Sequence, residues 1–138
     1  MATEKTLIVV KPDGVERGLV GEIIARFERR GFQLRALKML TVSRELAETH
    51  YAEHSERPFF SDLVTFITSS PSVAMVLEAQ DAVKLSRGMI GATSPLDAVP
   101  GSIRAEYTCD KQRNLIHGSD SPESAARELQ LWFPELGA

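Results

Sequence analysis

The first apolar segment of the chain is continuous, and the second is periodic. Residues 6–10 read Thr-Leu-Ile-Val-Val, a β-branched run that is too short for a helix and is typical of a strand buried on both faces. The Pro-Asp-Gly sequence at 12–14 breaks this run, so Lys11 is predicted at the end of the strand. Residues 17–30 carry apolar side chains at helical spacing, which predicts an amphipathic helix with one solvent-exposed face, and Gly31 can end this helix.

The middle of the chain alternates between strand and helix patterns. Residues 32–36 alternate apolar and polar side chains, as on a half-buried strand, and the phase shifts at 37–39. Either a β-bulge or burial of both faces explains this shift, and the pattern does not choose between them. The segments that follow are predicted to be a helix capped by Ser43, a helix from Pro58, a strand at 73–77 and a helix at 81–89.

The last third of the chain contains a long loop before one more strand and helix. Residues 91–101 include three residues that break regular structure, Gly91, Pro95 and Pro100, and long loops in compact domains are usually functional. A short strand is predicted at 115–117, and Ser121 followed by Pro122 gives a strong start to the last helix. This order predicts an α+β fold of the split βαβ type, a ferredoxin-like sandwich in which helices cover a four-stranded antiparallel sheet.

Composition and charge narrow the function without identifying it. The 138 residues carry a formal net charge of −3, which weighs against a protein built mainly to bind nucleic acid. The single cysteine, Cys109, excludes an intrachain disulfide and is compatible with a reducing compartment. No apolar run approaches the ~20 residues of a membrane span, and the first residues lack the pattern of a signal peptide. We therefore expect a single cytoplasmic domain over residues 1–138.

Two sets of residues could carry phosphate chemistry, although the usual glycine-rich nucleotide motifs are absent. His117 ends a short strand, and Glu128 in the next helix could hold one ring nitrogen so that the other acts as a nucleophile or base. Lys11, Arg87 and Arg104 lie near turns or loops and could bind phosphate oxygens. Taken one at a time, each of these residues is better explained as a structural histidine or a solvated surface cation.

Two other patterns are weaker. His50 and His54 are four residues apart, which on one helix face is the spacing of metal ligands. No third ligand is evident nearby, so the pattern only weakly indicates zinc. Phe59 and Phe60 are most simply core residues, although one of them could stack on a nucleobase.

The segment around His117 is the most specific in the chain. It reads Asn-Leu-Ile-His-Gly-Ser-Asp-Ser at 114–121, which is similar to the active-site signature of nucleoside diphosphate kinases. The other segments that resemble this family occur in the family's order at 6–14, 17–22, 50–51, 57–60, 100–104 and 131–134. The resemblance covers nearly the whole chain and implies transfer of a γ-phosphoryl group from a nucleoside triphosphate to a nucleoside diphosphate.

The resemblance also implies a role for each site residue. His117 would be the nucleophile, Glu128 would orient its ring, and Ser119 would contact both. Lys11 and Tyr51 would complete the catalytic group. The residues that the resemblance assigns to nucleotide binding are Lys11, Arg87, Thr93 and Arg104 at the phosphates, Asn114 and Lys11 at the sugar, Phe59 stacked on the base and Leu63 beside it.

The implied cofactor is Mg²⁺, carried by the nucleotide phosphates and not ligated by protein side chains. The implied partners are nucleoside di- and triphosphates such as ATP, GTP and deoxynucleotides, with no membrane and no nucleic acid. Stacking on Phe59 tolerates every base, which predicts broad base specificity. Members of the family are homo-oligomers, and a hexamer is favoured here over a tetramer by analogy.

The chain departs from the family's pattern at three positions. Ala105 stands where a glycine is common after the loop arginine, Lys111 where an apolar residue often covers the base, and Ala92 where some members have a carboxylate. The first two put base preference and affinity in question more than the reaction. The alternative hypothesis is a non-catalytic nucleotide- or anion-binding regulatory module, which would bind nucleotide without transferring phosphate.

Overall fold

One antiparallel sheet forms the centre of the protein in the computed structural model, which describes residues 2–111 and 113–136. Its strands are β1 (Glu4–Val10), β2 (Gln33–Leu40), β3 (Ser72–Ala79) and β4 (Ile116–Gly118). They lie in the order β2-β3-β1-β4, and each neighbouring pair is antiparallel. This confirms the four-stranded antiparallel sheet that the sequence predicts.

Helices cover both faces of this sheet. They are α1 (Pro12–Glu16), α2 (Val20–Arg29), α3 (Arg44–His50), α4 (Phe60–Thr68), α5 (Ala82–Ile90), α6 (Ile103–Tyr107) and α7 (Pro122–Trp132), with 3₁₀ turns at Ala52–His54 and Pro134–Leu136. The core on one face combines α2, α5 and α6 with Ile8 and Val10, and the core on the other combines α3, α4 and α7 with Leu7 and Val9. β1 is therefore buried on both faces, as predicted. None of the described helices is both long and apolar enough to cross a membrane.

The first helical segment differs from the prediction. Residues 12–14 end the first strand, as predicted, but they also form a short helix, α1, that the sequence analysis did not predict, because the fixed φ of Pro12 suits the first turn of a helix. Gly18 adopts a φ of 72° after this short helix, and α2 begins only at Val20. The helix predicted over 17–30 is therefore shorter at its N-terminal end.

The phase shift in the second strand is an irregularity of register. The pairing of β2 with β3 shifts between Leu34 and Ala36, which is the bulge alternative of the two that the sequence left open. Burial of both faces is excluded, because β2 lies at the edge of the sheet and exposes alternate residues, including Leu37 and Met39.

Two differences near the end of the chain affect the site. The long loop is followed by α6, a helix that the sequence analysis missed, and Ser102 caps it by accepting from the N–H of Ala105 at 3.3 Å. The last strand comprises Ile116–Gly118 and not 115–117, because Leu115 adopts a φ of 75°. This left-handed residue bends the chain immediately before the strand that carries the candidate histidine.

Candidate active site

The pairing of β1 with β4 brings the first and last predicted site segments together. His117 lies opposite Val9 in this pairing, and Lys11 follows directly after β1. The backbone of Leu115 is held at the same point, since its carbonyl accepts from the N–H of Lys11 at 2.7 Å and its N–H donates to Asp13 Oδ2 at 3.0 Å. Residues about a hundred positions apart in the sequence thus share one end of the sheet.

A carboxylate holds the imidazole of His117 through one nitrogen. His117 Nε2 lies 2.9 Å from Oε1 of Glu128, and the Ser119 hydroxyl donates to the same oxygen at 2.8 Å. Ser119 is fully buried, and its Oγ also accepts from the N–H of Leu7 at 3.4 Å. The hydroxyl and the imidazole therefore meet at one oxygen of a carboxylate that is itself fixed on α7.

Glu128 is ionised throughout the neutral pH range. Burial by itself raises the pKa of this carboxyl, but the hydrogen bond and charge of His117, the charge of His50 and the Ser119 hydroxyl outweigh it and hold the pKa at about 2. An ionised carboxylate can only accept a hydrogen bond, so His117 carries its proton on Nε2. In the neutral form of such a ring the lone pair is on Nδ1, which is then the nitrogen able to act as a nucleophile.

Lys11 and Arg104 are buried cations at the base of the site. Lys11 Nζ donates to Asn114 Oδ1 at 2.9 Å. Burial, together with the positive charge of Arg104, lowers the pKa of Lys11 to about 8, although Asp13 opposes the shift. Burial and the neighbouring Arg87 likewise lower the pKa of Arg104 to about 10.

The guanidinium of Arg104 also organises the backbone around it. It donates to three carbonyls, those of Asn114 at 3.3 Å, Gly91 at 3.0 Å and Ile116 at 2.6 Å. These carbonyls belong to the start of the long loop and to both sides of Leu115, so one side chain ties the loop to the strand of His117.

Arg87 is the more exposed cation of the site. It forms an ion pair with Asp120 at 2.9 Å and donates to the carbonyl of Gly118 at 3.2 Å. The glycine allows this approach, because a Cβ at Gly118 would lie 2.6 Å from Cδ1 of Ile90 on the same helix as Arg87. A bare Cα in the last strand therefore lets α5 bring its arginine against the site.

A cavity of about 520 Å³ collects these groups. The predicted site residues that line it are Lys11, Tyr51, Phe59, Leu63, Arg87, Thr93, Arg104, Asn114, His117 and Glu128. Ser119 lies behind them, bonded to Glu128. The fold thus brings all the predicted site residues together, whereas their individual roles remain predictions.

The aromatic end of the cavity distinguishes the two neighbouring phenylalanines. Phe60 begins α4 and packs against the core, whereas Phe59 lies at the N-cap position with 37% of its surface exposed. Burial of Tyr51 and the nearby charge of Glu128 raise the pKa of the phenol to about 12, so it stays protonated and can donate a hydrogen bond into the cavity. Lys111 also lines the cavity, as its sequence position suggested.

The spacing argument for His50 and His54 is wrong, because α3 ends at His50 and His54 lies in the following 3₁₀ turn. His50 instead faces His117, with their ring centroids 4.6 Å apart. One potential ligand atom from each of His50, His117 and Glu128 lies within 4.8 Å of the others. Sequence reasoning missed His50 as a cavity residue, since its partners lie far away in the chain.

Comparison with known proteins shows a family match over nearly the whole chain. Residues 4–137 match the family model for nucleoside diphosphate kinase. A protein of that name from Carboxydothermus hydrogenoformans is 63% identical over 132 residues, covering 96% of this chain and 89% of the relative. A second, from Frankia casuarinae, is 59% identical and covers 99% of each chain.

Solved structures give the same result. The nucleoside diphosphate kinase of Aquifex aeolicus has a TM-score of 0.93 at 49% identity and covers 98% of each chain. A halophilic nucleoside diphosphate kinase from Halobacterium salinarum, solved in complex with CDP, has a TM-score of 0.93 at 48% identity, covering 96% of this chain and 88% of the other. The likeness therefore extends over the whole described fold.

Proposed function

The chain belongs to the nucleoside diphosphate kinase family, and from that premise we propose that it transfers the γ-phosphoryl group of a nucleoside triphosphate to a nucleoside diphosphate through a phosphohistidine on His117. Its class of activity is that of a phosphotransferase. The observation that carries the proposal is the contact between His117 Nε2 and the Glu128 carboxylate inside a cavity lined by cations. This contact leaves Nδ1 as the reactive nitrogen.

The first half-reaction uses the Nδ1 lone pair of His117. It attacks the γ-phosphorus, an Nδ1–P bond forms, and the bond from phosphorus to the bridging oxygen breaks, so that the diphosphate leaves with the bonding electron pair. Glu128 stabilises the positive charge that develops on the ring by accepting the Nε2–H. A second diphosphate then attacks the same phosphorus in reverse, which gives ping-pong kinetics.

The cations of the cavity supply positioning and charge neutralisation, which are most of what phosphoryl transfer requires. Arg104 and Arg87 would bind phosphate oxygens in a fork, and Lys11 would act as a point charge. Arg87 must exchange its ion pair with Asp120 for the phosphate. Thr93, Tyr51 and Asn114 would add neutral hydrogen bonds to phosphate and sugar, while Phe59 and Leu63 would form the base end.

We treat Mg²⁺ as part of the substrate. Three carboxylates line the cavity among the described residues: Glu128, which is engaged by His117 and Ser119, Asp120, which pairs with Arg87, and Glu53 on the 3₁₀ turn. Magnesium requires oxygen ligands and keeps several waters, so it fits the phosphates of the nucleotide better than this nitrogen-rich set of side chains. The magnesium–nucleotide complex is therefore the species that we propose the enzyme binds.

Label exchange tests this function. Mixing the protein with γ-labelled ATP and GDP is expected to produce labelled GTP. ATP alone is expected to leave a label on the protein that acid removes and alkali does not, as for a phosphoramidate on histidine. ATP alone is sufficient for this labelling, because the first half-reaction does not require a nucleoside diphosphate as acceptor. Gel filtration of the labelled protein, followed by addition of GDP, measures both steps separately.

The regulatory-module alternative makes the opposite prediction. It requires nucleotide binding without any label on the protein, and such a result would exclude the proposed phosphohistidine. A matched comparison of CDP, GDP and deoxynucleotides as acceptors also measures base specificity, which stacking on Phe59 is expected to keep broad.

The pKa of Lys11 predicts a pH dependence of nucleotide affinity. Its ammonium is lost near pH 8, whereas the phosphates that it binds remain charged. We expect the KM for nucleotide to rise above about pH 8, by about tenfold per pH unit at the steepest. In the Lys11→Arg variant the side chain stays charged, so this rise should disappear. Equal pH profiles for both proteins would show that Lys11 does not bind the phosphates.

We also propose that the protein acts in the cytoplasm as a homo-oligomer, with a hexamer favoured over a tetramer. Exposed apolar side chains support association. Leu96 and Val99 on the long loop are 96% and 69% exposed, and Leu37 and Met39 on the edge strand are 50% and 62% exposed. Large apolar side chains exposed on one protomer are typical of surfaces that become buried in an interface.

A further inference from the structure

His50, His117 and Glu128 come close to forming a metal site. One nitrogen or oxygen from each lies within 4.8 Å of the others. Two imidazoles and one carboxylate are a common ligand set for zinc in proteins. His50 is buried, and its ring meets that of His117 edge to face. An ion bound here would be held by a ring nitrogen of His117, the residue that carries the proposed nucleophile.

The hydrogen bond at Nδ1 of His50 runs in the opposite direction to the one that a metal-binding histidine makes with its second nitrogen. A histidine that binds a metal through one nitrogen carries its proton on the other and donates it to a carboxylate or carbonyl. Here the other nitrogen, Nδ1 of His50, receives a proton donor, because Trp132 Nε1–H lies 3.1 Å away. Indole nitrogen can only donate, so Nδ1 must be the unprotonated nitrogen of His50.

We propose that Trp132 protects the nucleophile from transition metals by fixing His50 in the tautomer that carries its proton on Nε2. In this state Nδ1 of His50 accepts from the indole N–H and Nε2 is protonated, so neither nitrogen has a free lone pair for a metal ion. Binding a metal through Nε2 would require the ring either to lose its only proton or to move it to Nδ1, against the indole N–H. Each route breaks the buried bond to Trp132 or creates an anionic ring.

The surroundings of His50 keep this tautomer uncharged. Burial and the positive charges of His117, Lys11 and Arg127 lower the pKa of His50 to about 3, although Glu128 opposes them. The ring also packs edge to face on Trp132 and Tyr51, with centroids 5.4 Å and 4.8 Å away. Rotating the ring to present a different nitrogen would therefore disturb three aromatic contacts as well as the hydrogen bond.

The tautomer of His50 and its effect on metal binding do not depend on the proposed phosphoryl transfer. Only the statement that the protected group is a nucleophile rests on the proposed function. A site that excludes zinc has a clear use there, because Glu128 and His117 must remain paired with each other and the Nδ1 of His117 must remain open to phosphorus.

The first test reads the tautomer in the unmodified protein. In nitrogen-15 NMR spectra of the wild-type protein with labelled histidine, His50 is expected to carry its proton on Nε2 at neutral pH, with unprotonated Nδ1. The His50→Gln variant assigns the resonances. A proton on Nδ1 of His50 would overturn the proposal without any variant of the tryptophan.

The second test uses zinc chloride without nucleotide, so that it does not depend on phosphoryl transfer. Trp132→Phe keeps a ring in the core but removes the donor. We expect the histidine resonances of His50 and His117 to respond to zinc in this variant at concentrations about 10- to 100-fold lower than in wild type. The double variant Trp132→Phe/His50→Gln should lose this gain.

The outcomes are distinct. Equal zinc affinity at His50 in the wild type and in Trp132→Phe would contradict the protective role. So would a gain in zinc affinity that persists in the double variant. If the label-exchange experiment fails while these NMR results hold, the proposed function is wrong but the tautomer assignment remains.

Discussion

His117→Ala is expected to lower the rate of phosphoryl exchange by at least about 10⁴-fold, because it removes the atom to which phosphorus becomes bonded. The remaining cations could still bind nucleotide, so nucleotide affinity should change far less than the turnover rate. The imidazole contributes one hydrogen bond to Glu128 and is partly exposed, and we therefore expect the variant to fold. Exchange from labelled ATP to GDP, together with labelling of the protein by ATP alone, measures the loss.

His54→Ala is the matched control for this experiment. His54 lines the same cavity, but its ring contacts Phe59, at a centroid distance of 5.6 Å. The control protein should still become labelled by ATP, since its nucleophile and Glu128 are intact. Retention of an acid-labile label in a folded His117→Ala protein would place the phosphate on another residue and reject the mechanism.

Arg104→Ala is expected to affect both stability and catalysis. The carbonyls of Gly91 and Ile116 lose this donor, whereas that of Asn114 still accepts from the N–H of Ile116 at 2.9 Å. A buried polar group left without a partner costs about 1–3 kcal/mol, so we expect the free energy of unfolding to fall by about 2–5 kcal/mol. Loss of the cation that faces the phosphates should lower kcat/KM by about 10³-fold. Urea unfolding and steady-state kinetics at one temperature measure the two effects.

Two controls separate the contributions of charge and geometry. Arg104→Lys keeps the charge but cannot reach three carbonyls at once, so its stability should fall while part of its activity remains. Arg113→Ala removes an arginine that lies over the ring of Phe66, and it should change neither the stability nor kcat/KM substantially.

The positive charge of Arg104 lowers the pKa of Lys11, so in Arg104→Ala the rise of KM should begin at a higher pH than in the wild type. An unchanged pH profile and an unchanged free energy of unfolding would show that Arg104 neither lowers the pKa of Lys11 nor stabilises the fold through the carbonyls.

Much of the fold was predictable because it depends on local signals. The apolar run at 6–10 forms a strand buried on both faces, and Ser121 followed by Pro122 begins α7, with Ser121 Oγ accepting from the N–H of Ser124 at 3.1 Å. Propensity, periodicity and capping act over a few residues and can therefore be read from the sequence. The helix after Ser102 was missed because the prolines and glycine at 91–101 indicated a loop, and the five residues of α6 are too few to show a helical period.

The sequence also determined which residues could form the site. The segment at 114–121 identified His117, and the similarity of the remaining segments supplied its partners as expectations. Chemistry alone could not have separated Lys11, Arg87 and Arg104 from the other thirteen basic residues among the 16 in the chain, since a cation near a turn is most often solvated.

The tertiary structure decided how these residues meet. The Nζ of Lys11 bonds to Asn114, 103 positions away, and Trp132 bonds to His50, 82 positions away. Such distances follow from the pairing of β1 with β4 and from the packing of α7 on α3, which no local pattern contains. The sequence by itself indicated where the strands lie, the helices capped by Ser43 and Ser121, and His117 as the candidate for the reactive residue. Only the packed fold determined the hydrogen-bond partners of His50 and His117, the burial that lowers the pKa of Lys11 and the bend at Leu115, because these depend on groups brought together from distant parts of the chain.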